Sequence, residues 1–389
     1  MDADVIVVGG GVIGTAIAWR AARDGRRVIV IDPQTDEKAS LVAAGMLGPV
    51  SESVFGEQDL LNLNLLSIGR FPTFNAELED AAGQRTGLRT EGTIAVAYDS
   101  GDLAALDRLT AFRHSIGLQA ERLDARECRK QEPFLSPATR GGVLAKGDLS
   151  VDNRRYLAAL KQAAANVGVR TLTGYATSAG DGWVHAMTSA DRPVPADSTA
   201  ATAKPNRSPH RLSARHVVIA AGHATAAIDG VPDEVRKAIR PVKGQILRLR
   251  HPPNIPPVLI HTVRAMVAGR DVYLVPRTDG ELVAGATQEE RDDRDVTAGA
   301  VHDLLRDATT AVPAISELIL AEASAGLRPG TSDNGPILGP VETGRLIIAA
   351  GHFRNGILLS AATADAIVAL LNGGQPDAAW APFQPGRFR

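Results

Sequence analysis

Short apolar runs rich in valine and isoleucine punctuate the chain, and between them apolar positions recur every three or four residues. That alternation of two periods predicts strands alternating with helices. Residues 5–8 (Val-Ile-Val-Val) have the unbroken β-branched character of a parallel strand buried on both faces. Gly9, Gly10 and Gly11 end the run, Ile13, Ile17 and Ala21 then repeat at helical spacing, and Gly25 stands where a helix would stop. A second apolar run, 28–31, closes on Asp32 and Pro33, completing a βαβ unit of about thirty residues. After a loop of small residues over 34–50, helical patterns cover 58–82, 103–116, 154–167 and 298–311, and strand patterns cover 93–98, 169–172, 183–187 and 217–220. From 244 to 286, four short strand patterns separated by Pro and Gly predict an antiparallel sheet. The end returns to the opening style, with a strand at 346–349, a glycine-bearing loop at 351–356 and a helix over 357–371.

This order predicts an α/β plus α+β fold. A Rossmann-like domain built from 1–85, 150–240 and 325–389 is interleaved with an antiparallel-sheet domain built from 86–149 and 241–324. Residues 189–213 are rich in Pro, Ser, Thr, Asp and Ala. They lack the large apolar side chains that would offset ordering entropy, and read as a partly disordered insertion.

Composition narrows the function. A length of 389 residues suits two domains, and 44% apolar with 22% charged residues suits a globular core. Lys plus Arg (42) nearly balances Asp plus Glu (44), for a net charge of −2, which argues against a nucleic-acid binder. Cys128 is the one cysteine, so neither an intrachain disulfide nor a Cys-rich metal site is expected, and the compartment reads as cytoplasmic. No apolar run is expected to reach the roughly 20 residues that cross a bilayer, and the first residues lack the pattern of a signal segment.

Gly9-x-Gly11-x-x-Gly14 follows a predicted strand, opens a predicted helix, and precedes an acidic residue, Asp32, at the end of the next strand. The first glycine makes a tight turn, the second lets backbone approach a pyrophosphate, and the third lets helix and strand pack closely. Free N–H groups and the helix dipole then bind phosphate. Asp32 would accept hydrogen bonds from a ribose diol. The motif alone fits NAD or FAD. The segments 217–223 and 346–352 lean towards FAD, because each runs from a strand into Ala-Ala-Gly-His and the second leads into a helix with a bare N-terminus. Such a terminus suits the negative charge a flavin gains on accepting hydride. His223 and His352 read as hydrogen-bonding groups near the cofactor.

Further segments carry a resemblance: Ala39-Ser40 with Ala43-Ala44-Gly45-Met46-Leu47, Val151-Asp152-Asn153-Arg154, Pro241-Val242-Lys243-Gly244-Gln245, Tyr273-Leu274-Val275-Pro276-Arg277, Gly326-Leu327-Arg328-Pro329-Gly330, and Gly351-His352-Phe353-Arg354-Asn355-Gly356-Ile357-Leu358. With the fingerprint, they resemble the FAD-dependent amine and amino-acid oxidases of the D-amino acid oxidase type, and within that family the glycine oxidases associated with thiamine thiazole biosynthesis. The resemblance implies a non-covalent FAD lined by Gly9, Gly11, Val12, Ile13, Gly14, Asp32, Pro33, Ser40, Ala44, Gly45, Met46, Gly222 and the run from Gly351 to Leu358. Cys128 lies far in sequence from that run, which argues against a thioether link. The resemblance also makes Arg328 the reader of a substrate carboxylate, with Tyr273 and Arg354 as further catalytic and substrate-pocket groups, and Met46, Asp271 and Gln288 beside them. Asp271 and Gln288 depart from the family's histidine and methionine, so pocket polarity differs.

The chemistry can be stated apart from the family. A guanidinium matches a carboxylate with two parallel charge-assisted hydrogen bonds. If the amine binds neutral, its Cα–H can leave as hydride to flavin N5, and catalysis rests on placement rather than on a general base. The implied reaction is oxidative deamination of glycine, sarcosine or small D-amino acids to an imine or 2-oxo acid, ammonia and hydrogen peroxide. Molecular oxygen, a thiazole synthase and further copies of the chain are the expected partners, with neither nucleic acid nor membrane. Two alternatives stand: a D-amino-acid dehydrogenase passing electrons to a quinone, and a flavin or nucleotide-binding protein without amine chemistry.

Overall fold

The computed structural model describes residues 1–188, 209–253, 255–341 and 344–388. Two sheets organise them. The first has a parallel core in the order Arg170–Gly180, Val28–Asp32, Ala3–Val8, His210–Ile219 and Leu346–Ala350, with Ile337–Val341 antiparallel on its outer edge. Val5, Ile6 and Val7 are fully buried because both sheet faces are covered, Val5 and Val7 by helices and Ile6 by the strand ribbon around Val184 and Ala186 and the short helix Asp233–Ala238, as the unbroken apolar run predicted. On one face pack the helices Val12–Arg23, Gln58–Ala82, Asn153–Asn166 and Gly356–Leu371.

The second sheet has eight strands, in the order Ile319–Gly330, Arg240–Arg250, Glu281–Gly285, Arg270–Pro276, Thr262–Val267, Thr93–Ala97, Gly141–Ala145 and Glu121–Asp124. Every pairing is antiparallel except that of Thr262–Val267 with Thr93–Ala97. The sheet draws strands from two separate stretches of chain and extends to Gly330, past the expected crossing at 325.

Three expectations change. The strand expected at 169–172 runs on to Gly180, because its outer half pairs with Trp183–Thr188, which in turn pairs with the start of His210–Ile219. Residues 210–213 are therefore strand rather than insertion, and 189–208 lie outside the described residues. The 34–50 stretch holds a short helix, Ala39–Val42, and a two-residue strand, Met46–Leu47, paired with Leu149–Ser150. Finally, 353–371 is long and apolar enough to cross a membrane by length and composition, contrary to the sequence reading. It is 67% buried, with Leu359, Ala361, Ala362, Ala364 and Ile367 at zero exposure against the other core helices, as in the centre of a folded domain.

Candidate active site

A cavity of about 910 Å³ runs between the two sheets, from the loops that follow strands of the first to one face of the second. At its nucleotide end the fingerprint does what its spacing requires. Gly9 has φ +111°, and a Cβ there would stand 2.3 Å from the Ala220 carbonyl oxygen. A Cβ on Gly14 would fall 1.9 Å from the Gly9 carbonyl oxygen, so this glycine sets the approach of helix to strand rather than lining the cavity. The helix Val12–Arg23 has Gly11 at its N-cap, without a side chain to cap it, and the Val12 N–H donates to Ser40 Oγ at 3.1 Å. Asp32 is buried and already engaged: it accepts from the N–H of Gly10 (2.6 Å) and of Gln34 (2.7 Å), and pairs with Lys38 (3.0 Å). It thus shapes the turn as well as facing the cavity.

Of the expected cofactor wall, Gly9, Gly11, Val12, Ile13, Asp32, Pro33, Ser40, Ala44, Gly45, Met46, Gly222, Gly351, His352, Phe353, Arg354, Gly356 and Ile357 line this one cavity. Asn355 and Leu358 do not: both are buried behind it, Leu358 within the helical core. His352 donates to or accepts from Thr363 Oγ1 at 3.0 Å, and burial pushes its pKa down to about 3, so the ring is neutral. His223 lies 3.4 Å from the Arg294 guanidinium, its pKa lowered first by burial and then by that cation.

The substrate end is one face of the second sheet. Arg264 stands opposite Tyr273, and Tyr273 opposite Gly285. On the neighbouring pair of strands Gly244 stands opposite Gly326 and Val242 opposite Arg328. The two glycines on this face clear a floor: the Tyr273 ring lies over Gly285, and the Arg328 guanidinium lies over Gly244. Arg328 donates to the carbonyls of Lys243 (3.3 Å) and Thr287 (3.1 Å), and among the described residues has no carboxylate partner. Burial raises the Tyr273 pKa and the neighbouring Arg328 charge lowers it, with burial winning, so the phenol keeps its proton.

Asp271, Gln288 and Met46 also face the cavity. Arg354 does too, but its guanidinium is paired with Glu57 at 2.9 Å, so it is a neutralised pair rather than a free carboxylate reader. Sequence reasoning missed Glu52 and Arg264, which form a 2.9 Å ion pair on the wall. The one sequence signal is Gly269 between two strand runs: Ala268 and Gly269, both at positive φ, form a two-residue hairpin turn that fixes the register setting Arg264 opposite Tyr273.

Residues 4–370 match the family described as DAO, FAD dependent oxidoreductase. The chain is a member of that family. Glycine oxidase of Geobacillus kaustophilus is 34% identical over 387 residues, covering 98% of this chain and 96% of the relative. The crystal structure of glycine oxidase from the same organism superposes with a TM-score of 0.85 at 32% identity, covering 99% and 98% of the two chains. A bifunctional ThiO/ThiG protein of Synechocystis is 31% identical over 391 residues, and this chain spans 54% of its length. The flavoenzyme thus takes FAD as its cofactor, and the cavity fits it. Two long helices, Val12–Arg23 and Gly356–Leu371, begin at this cavity without a side-chain cap, offering N–H groups to a pyrophosphate and to a ring that becomes negative. The Gly45 N–H, buried on the wall, has no partner among the described residues, as a donor awaiting a ligand acceptor would.

Proposed function

We propose that the flavoenzyme oxidises glycine and other small amines, such as sarcosine and small D-amino acids, and uses molecular oxygen as the acceptor. The observation that carries this reading is Arg328: a guanidinium held by two carbonyls and the Tyr273 phenol, without a carboxylate partner among the described residues, on a floor cleared by two glycines. Such a group matches one small carboxylate and holds the adjacent Cα at a fixed place. Tyr273 donates its hydroxyl proton as a second hydrogen bond to that carboxylate. Arg354, neutralised by Glu57, lines the cavity without reading the carboxylate. FAD supplies the hydride acceptor; the product imine hydrolyses to a 2-oxo acid and ammonia, and reoxidation releases hydrogen peroxide.

The named glycine oxidase relatives support this substrate class, and the bifunctional ThiO/ThiG relatives support a role in thiamine biosynthesis, with the imine passed to a thiazole synthase. We also read the protein as cytoplasmic and homo-oligomeric. The test is a panel of glycine, sarcosine, D-alanine and D-proline followed by oxygen uptake and peroxide release. A flavin that glycine reduces but air leaves reduced would turn the reading to a dehydrogenase.

A further inference from the structure

Behind the cavity wall lies a cation that the reaction as described does not use. Arg277 is 4% exposed, at the end of the Arg270–Pro276 strand. It donates to the carbonyls of Val151 (2.8 Å) and Ala44 (2.7 Å) and to Asn153 Oδ1 (3.1 Å). Among the described residues no carboxylate comes within ion-pair distance, and burial pushes its pKa down to about 10, leaving it charged. The carboxylates of Asp152, Glu281 and Asp279 act on it only from beyond ion-pair distance, and a buried guanidinium without a direct partner is costly. Its neighbour Arg248, 1% exposed, differs: it donates to Asn153 Oδ1 (3.2 Å) and the Leu41 carbonyl (3.3 Å) but is paired with Glu281.

The geometry of the wall follows from these bonds. Asn153 Nδ2 holds the Ser40 carbonyl at 2.8 Å, Arg248 holds that of Leu41, and Arg277 holds that of Ala44. A trans peptide points its C=O and the following N–H in opposite directions. With the Ala44 carbonyl turned back onto Arg277, the Gly45 N–H faces the other way, and it is this N–H that has no partner. Gly45 must be glycine for the purpose: its φ is +76°, and a Cβ would fall 2.0 Å from the Val151 oxygen and 3.4 Å from Arg277 Nη1. Val42 and Ala44 pack with Ile246 and Val275, and Met46 and Tyr273 pack against them, so this wall adjoins the substrate end.

We propose that Arg277 is a positioning residue for the flavin ring: it fixes the Ala44–Gly45 peptide with its N–H towards the cofactor and places behind it a positive charge that no carboxylate pairs directly, raising the two-electron reduction potential of the bound FAD. Hydride transfer moves two electrons and one proton from the substrate Cα to the ring, which ends with one more negative charge, while the neutral amine becomes an iminium cation that yields the imine on losing a proton. A fixed cation behind the wall favours that charged product over the neutral reactant.

Sulfite tests this without an amine, since it adds to flavin N5 and leaves the ring with added negative charge. Failure of the glycine reading therefore leaves the measurement intact. The FAD-loaded Arg277→Met and Arg277→Gln variants are expected to bind sulfite about tenfold more weakly, with a potential about 30 mV more negative in dye equilibration. Arg277→Lys, which keeps the charge, should stay within about threefold of wild type. The proposal is overturned if the neutral Arg277 variants bind sulfite as tightly as wild type, or if Arg277→Lys shifts sulfite affinity and potential as far as they do.

Discussion

The glycine floor beneath Arg328 offers a perturbation whose size can be worked out. In a Gly244→Ala variant the new methyl would stand 2.2 Å from Arg328 Nη1, 2.3 Å from Nη2 and 2.4 Å from Cζ, where ordinary contact begins near 3.4 Å. The guanidinium must lift by about an ångström or more. Its bonds to the Lys243 and Thr287 carbonyls, 3.3 and 3.1 Å long, then pass out of hydrogen-bonding range. The backbone has no reason to move, since Gly244 does not have positive φ and the clashing atoms are the free end of a flexible side chain. The substrate carboxylate would lose well-aligned charge-assisted bonds worth about 1.5–3 kcal/mol. That corresponds to roughly a ten- to hundredfold fall in kcat/KM for glycine. Peroxide-coupled kinetics should show this while FAD retention and Tm stay near wild type. Gly299→Ala, in a helix with nothing within 4 Å of the added methyl, is the control that should leave kinetics alone. Wild-type kcat/KM in Gly244→Ala would refute the assignment of Arg328 as the carboxylate reader.

Other expectations are more local. Arg328→Ala, with FAD still bound, should cost at least as much in kcat/KM as Gly244→Ala; unchanged kinetics would mean another group reads the carboxylate. Gly14→Ala places a methyl 1.9 Å from the Gly9 oxygen and should yield protein that neither holds FAD nor melts cooperatively, checked by absorbance and calorimetry. His352 is held near pKa 3 when folded against 6.5 otherwise, so the unfolded chain takes up the extra proton between those values. Its contribution is therefore complete above pH 6.5 and lost on acidification by about 1.4 kcal/mol per pH unit; urea unfolding at pH 7, 6 and 5 should show that slope shrink in His352→Gln. Asp148 has the opposite sign: it accepts from the Val50 and Ser51 N–H groups at 3.1 Å, and burial raises its pKa from 3.8 to about 6. Stability from this group is present at low pH and declines as pH rises through about 6, by up to about 3 kcal/mol, a decline that Asp148→Asn should remove.

The features written in local pattern were legible in the sequence. The βαβ unit, the three glycine loops and the Gln58–Ala82 helix carry their own periodicity and punctuation, and all return in the structure. What was hidden depends on partners distant in the chain. The pairing of Thr93–Ala97 with Thr262–Val267 joins segments with no local signal of each other. Residues 210–213 look like loop because their polar side chains carry no alternating pattern and their strand partners, Trp183–Ala186, lie more than twenty positions away. Arg354 appeared free because its partner, Glu57, is 297 positions away. Arg277 read as part of a family segment without a task, since nothing in composition marks an arginine as buried.

The alternation of the chain between the two sheets also has a temporal meaning. Strands from residues 3 to 350 complete the first sheet, the second is finished only at Gly330, and the cavity takes walls from both. During synthesis the site for FAD therefore does not exist until nearly the entire chain has been made. Capture of the yellow cofactor then marks the close of assembly, so that a fragment stopping short of the last parallel strand emerges colourless.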